Sequence, residues 1–309
     1  MVEQKKYQDI VRLGHRSTVD VLKEGDHIVI QEKIDGANAS FRRVGNELVA
    51  FSRRQQLTPE NTLGGFYEFV KSLDIHIGEG LVFFGEWTNP HKVKYPEHEK
   101  KFFLYDIYDL EQEKYLPFEF VKNTGKALGL NIVPVFYEGE YQGFDHLMSF
   151  VGKTELGGKL GDVETGEGIV VKNIDYLDRF GKQKFVKLVT DNFREVQKQK
   201  APKDPKIALT AEQKFVDATV TEARIDKMLH KFVDEGILDE NFGIEDMGTI
   251  LKNMGERIKE DILKEEGDSF SEIISDGDTN VEGQEIDEKQ LSRAIGRTVP
   301  KIVKQIINK

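Results

Sequence analysis

Hydrophobic and polar positions along the first two thirds of this 309-residue chain come in short bursts rather than long stripes. "HIVIQEK" (27–33), "ELVAFSRR" (47–54), "LVFFGEW" (81–87), "KFFLYDIYD" (101–109), "EGIVVKN" (167–173) and "KFVKLV" (184–189) are rich in Val, Ile, Phe and Tyr and are punctuated by Gly or Asn. Each alternates with a period of two or forms a brief apolar run, the signature of a strand, because a pleated chain sends successive side chains to opposite faces. Between them, "LGGFYEFVKSL" (63–73) and "PFEFVKNTGKALGL" (117–130) repeat apolar residues at three and four, the spacing of one helix face. Up to about residue 195 the pattern predicts an α+β domain of mostly antiparallel sheets.

The texture then changes. "QKQKAPKDPK" (197–206) is charged, holds two prolines and has no period, so it reads as a linker. Beyond it, "TAEQKFVDATVTEARIDKMLHKFVDEG" (210–236), "MGTILKNMGERIKEDILKEE" (247–266) and "SRAIGRTVPKIVKQIIN" (292–308) follow the helical period and predict a small all-α domain. The expected division is residues 1–200 and residues 201–309. Between the last two helices, residues 261–288 hold eleven carboxylates against one lysine. Within them, "DGDTNVEGQEID" (276–287) has acids or amides at positions 1, 3 and 5 of a calcium loop. Val281 stands where that loop turns on Gly, and Asp287 replaces its bidentate Glu, so a solvated acidic loop is the expectation.

Composition narrows the class. A hydrophobic fraction of 38 % with 20 Phe supports a real core, and the absence of Cys excludes disulfides, cysteine-bound zinc and a thiol nucleophile. No apolar run is long enough to span a bilayer, and "MVEQKKYQDI" lacks a signal core, so a cytoplasmic protein with no membrane partner is expected. The net charge of −11 is uneven: residues 1–200 carry a net of −3 and residues 201–309 a net of −8. The first part keeps basic pairs at Arg42-Arg43 and Arg53-Arg54, and local patches rather than the total decide whether phosphates are attracted.

Candidate chemistry centres on the end of the first long strand. Lys33 closes "IVIQEK" and is followed by Asp35-Gly36, a turn. A lysine amine normally titrates near 10.4, so it attacks only when desolvated or set near cations, and a buried strand end offers that setting. A snorkelling lysine before an ordinary turn fits the same stretch. Five further strand-associated clusters bear on the choice. They are Arg53-Arg54, Glu86, Tyr105-Asp106, Glu167 with Lys172, and Lys182, Lys184 and Lys187. Together they contain an amine, phosphate-binding cations, metal-steering acids and a stacking ring.

In order, "EKIDGAN", "FSRR", "FFGEW", "FFLYDIYD", "EGIVVK" and "KFVKLVTDNF" resemble the six motifs of the covalent nucleotidyltransferases, and within them of the phage-type ATP-dependent RNA ligases. The trailing helical region is similar to that family's C-terminal module. The resemblance implies an adenylyltransferase domain of antiparallel sheets flanked by helices, an ATP-grasp-like ligase fold, followed by the all-α domain. It implies that Lys33 takes AMP from ATP, that Glu32 helps read the adenine edge, and that Asp35 lies near ribose and phosphate. It further implies that Asn38 and Arg53 contact RNA ends and phosphates. Glu86 would hold ribose hydroxyls and, with Glu167, a magnesium or manganese ion. Tyr105 would stack on adenine, and Lys187 with Lys172 or Lys184 would cradle phosphates. The implied partner is RNA with 3′-OH and 5′-phosphate ends, in a nicked duplex, met by a monomer.

Two positions depart from the family pattern. Val189 stands where a second lysine is usual, so the sequence leaves open which of Lys182, Lys184 and Lys187 faces the α-phosphate. Asp35 replaces a histidine found in some relatives. DNA ligases and capping guanylyltransferases share the lysine motif but usually continue into an OB barrel, whereas the continuation here is helical. A non-catalytic RNA-end-binding protein is disfavoured by the intact Lys33, Glu86, Glu167 and Lys187. In the helical domain, Arg224, Lys227, His230 and Lys231 fall roughly on one face, open to RNA or simply to solvent.

Overall fold

The computed structural model describes residues 2–14, 16–18, 20–178, 180–190, 193, 210–274 and 285–308. The expected linker and segment 276–284 of the acidic loop lie outside the described residues. The chain divides into two compact units, Met1–Thr190 and Asp191–Lys309.

The first unit is built on two sheets. One has the order β1 (Val11–Arg12), β13 (Gln183–Val189), β12 (Gly168–Leu177), β2 (His27–Lys33) and β9 (Val135–Glu140). The other has β4 (Glu47–Ser52), β3 (Ala37–Val44), β5 (Leu81–Trp87), β6 (Phe102–Asp109) and β7 (Lys114–Tyr115), with β8 (Asn131–Ile132) beside β6. Pairing is antiparallel except for β1 with β13 and β6 with β8. A short ribbon, β10 (Lys159–Leu160) with β11 (Val163–Glu164), lies apart. The α+β class read from the periodicity is the class of the structure.

Alternation assigns each face. In the first sheet Ile28, Ile30, Ile169, Val171 and Val186 form one apolar layer with Leu147 of helix α3 (Phe144–Met148). The opposite face contributes Val170 and Phe185, which pack against Val82, Phe84 and Tyr108 of the second sheet and against Tyr7 and Tyr115. The far side of the second sheet carries Phe41, Phe83 and Phe102, covered by α1 (Phe66–Ser72) and α2 (Phe118–Ala127). Two sheets thus meet over an aromatic layer, and the polar side chains of the facing surfaces collect where that layer ends.

The second unit comprises α4 (Ala211–Thr219), α5 (Glu222–Asp234), α6 (Met247–Glu266), α7 (Phe270–Ile274) and α8 (Glu288–Ile307). Thr210, Thr221 and Asp287 cap α4, α5 and α8 by accepting first-turn N–H groups. The helical stripes converge on Phe215, Leu229, Phe232, Ile258, Ile262 and Ile295. Among the described residues no helix is long and apolar enough to cross a membrane.

Arg224 departs from the expected basic face. Its side chain is fully buried, 2.5 Å from Asp261 and 3.5 Å from Glu266, with Glu265 at 3.7 Å. The carboxylates at the end of α6 draw the guanidinium inward, leaving Lys227, His230 and Lys231 partly exposed. Removing one member of a buried ionic cluster strands its partners without a counter-charge. Arg224→Ala is therefore expected to destabilise the unit by roughly 3–5 kcal/mol, read as a lower denaturant midpoint of the full-length protein. An unchanged midpoint would contradict the assignment.

Candidate active site

The register of the first sheet sets its polar rows. Lys33 pairs with Gly168, and Gly168 with Val189; Gln31 pairs with Val170, and Val170 with Lys187; Val29 pairs with Lys172, and Lys172 with Phe185. Residues directly opposite one another share a face, so Lys33, Gln31, Lys187 and Lys172 all lie on the side that meets the second sheet. Lys184 falls on the other side, where its Nζ donates to the Ser17 carbonyl at 3.2 Å. Lys182 lies in the turn before β13, where its N–H donates to Asp178 Oδ1 at 3.0 Å. Of the two lysines on β13, Lys187 is on the face of Lys33 and Lys184 is not.

Lys33 Nζ donates to Glu167 Oε2 at 2.5 Å, with 23 % of the lysine side chain and 12 % of the glutamate exposed. The two residues are 134 apart in sequence and meet because Glu167 immediately precedes the strand that pairs with β2. Gly168 keeps the row open, since a Cβ there would overlap the Leu188 carbonyl. The turn after Lys33 is equally constrained: a Cβ on Gly36 would lie 2.6 Å from the Trp87 carbonyl. This close approach carries the chain from β2 into β3 beside β5.

That turn fixes Asp35. Its Oδ2 accepts from the Val93 N–H at 2.8 Å, its own N–H donates to the Tyr95 hydroxyl at 3.0 Å, and His91 Nδ1 lies 3.6 Å from Oδ1. Burial pushes the carboxyl up, but hydrogen bonding and charge from His91, the Val93 N–H and the Lys33 charge together outweigh it and hold Asp35 down at about 2. Glu86 goes the other way. Loss of hydration pushes it up to about 8, against the pull of Lys33 and His91 and with the push of Glu167 and Asp35.

The second sheet contributes Asn38 and Glu86, directly opposite each other on β3 and β5. On β6 a bulge intervenes: Phe84 pairs with Asp106 and Gly85 with Leu104, leaving Tyr105 as the extra residue. The bulge lets consecutive residues act toward the same seam. The Tyr105 hydroxyl accepts from Asn38 Nδ2, while Asp106 accepts from the Tyr7 hydroxyl and lies 2.8 Å from Lys172 Nζ. Lys172 also donates to the Tyr105 carbonyl at 2.9 Å. Lys172 and Asp106 are both buried, and desolvation lowers the lysine while raising the carboxyl. Burial, aided by Glu86 and Asp106, raises Tyr105. Its phenol stays neutral.

Two further expected residues have partners of their own. Glu32 points away from Lys33, as alternation requires, and is fully engaged: Oε1 accepts from the Thr154 hydroxyl at 2.6 Å and Oε2 from the Glu155 N–H at 2.9 Å. Arg53 immediately follows β4 and pairs with Asp9 at 2.5 Å, and its charge also acts on Tyr105. His91, Tyr95, Thr154 and Gln31 were not anticipated. The first three sit in irregular segments where no period exists to interpret. Gln31 could have been found from its shared phase with Lys33.

Among the described residues no group of three His, Asp or Glu side chains is arranged to close on a metal ion. Glu167 and Glu86 fit a different kind of cation, since magnesium is commonly held by one or two carboxylates with the remaining positions left to phosphate and water. The set as a whole can present an amine to a phosphorus, with cations on one sheet and carboxylates and an amide on the other.

A family model described as RNA ligase matches residues 26–189, just over half the chain. Among solved structures, the chain is similar to Naegleria gruberi RNA ligase with PPi at 17 % identity, covering 62 % of this chain and 57 % of that one, with a TM-score of 0.46. A mutant of the same ligase with ATP and Mn is similar at 16 % identity, with the same coverages and a TM-score of 0.43. Another, with AMP and Mn, is similar at 15 % identity over 60 % of this chain and 57 % of that one, with a TM-score of 0.40. The chain spans less than two thirds of the solved chains it matches. No curated protein matches it.

The position of Glu86 has a pH signature. Folded and unfolded chains both hold its proton below about 4.5, and the folded chain retains it up to about 8. The folded state thus binds more protons in that window, so the contribution of Glu86 to stability falls as pH rises through it and levels off above. Glu86→Gln removes this loss. Its thermal midpoint should match wild type near the acid end and exceed it by roughly 2–6 °C at the alkaline end, as scanning calorimetry across the window would register. A constant offset at every pH would refute the shift.

Proposed function

The chain belongs to the RNA ligase family, and on that premise we propose that it is an ATP-dependent enzyme joining 3′-OH and 5′-phosphate RNA ends through AMP carried on Lys33. The observation that supports this most directly is the lysine itself. Its amine is half-buried at a strand end, 2.5 Å from Glu167, with Lys187 one row away on the same face.

In the first step the unprotonated Nζ of Lys33 attacks the α-phosphorus of ATP. A nitrogen–phosphorus bond forms, the bond to the bridging oxygen breaks, and pyrophosphate leaves. In the second, an oxygen of the RNA 5′-phosphate attacks the same phosphorus, Lys33 departs, and the 5′ end carries AMP through a pyrophosphate. In the third, the 3′-OH attacks the RNA phosphorus, its proton is lost, and AMP leaves as the phosphodiester forms. Little covalent help is needed beyond the amine, so positioning and charge neutralisation do most of the work.

The ion pair with Glu167 stabilises the ammonium, so the pair must open before Lys33 attacks. Asp35, held ionised by His91 and the Val93 N–H, keeps a fixed negative charge beside the turn. Asn38 and Arg53 are proposed to receive the RNA ends and phosphates, Glu86 the ribose hydroxyls, and Tyr105 the adenine ring through its face. Lys187 is proposed as the phosphate-facing lysine. Lys172, locked to Asp106, supports the same surface from within. A magnesium or manganese ion held by Glu167 and Glu86 with phosphate oxygens would shield phosphate charge and lower the amine's affinity for its proton. The adenylyltransferase role is assigned to the first unit and an RNA-strand contact to the second, with a nicked duplex as the substrate of a monomer.

Lys33→Ala should abolish covalent labelling by α-labelled ATP while far-ultraviolet circular dichroism stays unchanged. Retained label would remove Lys33 from the role. Lys187→Ala is expected to slow labelling by roughly 100-fold or more and Lys184→Ala by less than about threefold, on the general strength of charge-assisted contacts to phosphate. Equal losses would argue against the distinction between faces. Sealing of a nicked RNA duplex, followed with ATP and with GTP on denaturing gels, should proceed with ATP only.

A further inference from the structure

Asp35 is gripped by one short segment between β5 and β6, in which His91, Val93 and Tyr95 each meet a different atom of the aspartate. His91 Nδ1 lies 3.6 Å from Oδ1, the Val93 N–H donates to Oδ2 at 2.8 Å, and the Tyr95 hydroxyl accepts from the Asp35 N–H at 3.0 Å. His91 and Tyr95 are 7 % and 5 % exposed. The segment is itself held. Lys94 and Lys159 exchange backbone hydrogen bonds at 2.9 and 2.8 Å, and a Cβ on Gly158 would lie 2.8 Å from Val93 Cγ1 and 2.9 Å from Tyr95 Cε1. Behind it the Thr154 hydroxyl accepts from the Gly158 N–H at 3.0 Å and donates to Glu32. One small assembly thus fixes residues on both flanks of Lys33.

An ordinary Asp-Gly turn needs no such grip, and the geometry gives His91 a defined part in it. A carboxylate only accepts, so the imidazole donates from Nδ1. The separation is longer than a formed hydrogen bond, and contacts of this length around reacting groups tighten as substrate orders the site. The Val93 N–H fixes only Oδ2, while the terminal torsion of an aspartate is broad, so a second contact is needed to set the plane of the carboxylate. His91 supplies it at Oδ1. Each oxygen accepts twice, which leaves one acceptor site on each for a ligand.

We propose that His91 is a positioning residue for the transfer at Lys33: its Nδ1–H holds Oδ1 of Asp35, so that the remaining acceptor sites of that carboxylate meet O–H donors around the ribose and α-phosphate of the nucleotide. The inference rests on the adenylylation reading above and goes past it, since His91 lies outside all six motifs. The histidine touches no reacting atom and acts through Asp35. Its loss leaves the rest of the phosphate cradle in place, so the cost falls on the transfer step rather than on binding of ATP.

The test is covalent labelling of the full-length protein by ATP, with kcat and KM measured for His91→Ala, His91→Asn and His91→Gln. Asparagine sets its amide nitrogen near the place of Nδ1, whereas glutamine sets it near that of Nε2. His91→Ala should lower kcat by about 10-fold to 100-fold and leave KM for ATP within about threefold, the scale of a misplaced group in a transfer step. His91→Asn should recover kcat to within about fivefold of wild type, and His91→Gln should stay near the alanine variant. An unchanged kcat in His91→Ala, a loss confined to KM, or equal rates for Asn and Gln overturns the proposal. Should thermal melts show that His91→Ala is unfolded, the comparison of Asn with Gln decides in its place. Unfolding of all three also overturns it, because the imidazole would then hold the fold rather than the carboxylate. Wild type that takes no label from ATP would instead overturn the adenylylation reading.

Discussion

The antiparallel register between β2 and β12 is the constraint on which the site depends. It joins Lys33 to Glu167 across 134 positions of sequence and stacks three polar rows on one face. Side chains alternate with a period of two, so sliding β2 by one residue would turn Lys33 and Gln31 to the other face and put Ile30 and Glu32 in their place. Apolar residues prevent the slip. Ile28, Ile30, Ile169, Val171 and Val186 must all stay in one layer, and that requirement holds the polar set on the other face. The chemistry is thus positioned by residues that take no part in it.

Within this frame, neighbouring carboxyls are driven in opposite directions. Asp35 has a backbone N–H and His91 at hand and stays ionised far into acid, while burial dominates at Glu86 and keeps its proton near neutrality. Loss of water acts on both, and the difference lies in what replaces it. Two acids with separated affinities for protons beside one amine are a common arrangement where group transfer occurs. The Lys172–Asp106 pair plays another part. Buried and bonded to Tyr7 and the Tyr105 carbonyl, it ties the two sheets together behind the reactive end.

Much of this was legible in the sequence, and the limits are instructive. Strands with clear alternation, such as His27–Lys33 and Leu81–Trp87, are where the periodicity put them. The meeting of Lys33 with Glu167 follows from two strand ends in one motif set. Harder to read was the face of each polar residue. Glu32 and Lys184 are in the opposite phase to Lys33 and Lys187, and counting in twos from Lys33 and from Val189 would have shown it. Arg224 misled for a related reason: its helix face was readable, but the carboxylates of α6 that pull it inward are local to another helix. His91 and Tyr95 come from a segment with no period, so only the folded chain brings them to Asp35.

The bulge at Tyr105 has a consequence for how this segment can be exchanged. Ordinary strands can be swapped between homologous proteins one residue at a time, because each position keeps its side. Here Tyr105 and Asp106 reach the same seam only because one residue has no partner on β5. A chimera that drops the extra residue would leave a regular ladder with a single position between Leu104 and Ile107, so the ring and the carboxylate that holds Lys172 could not both be kept at the seam. The pair is inherited as a unit.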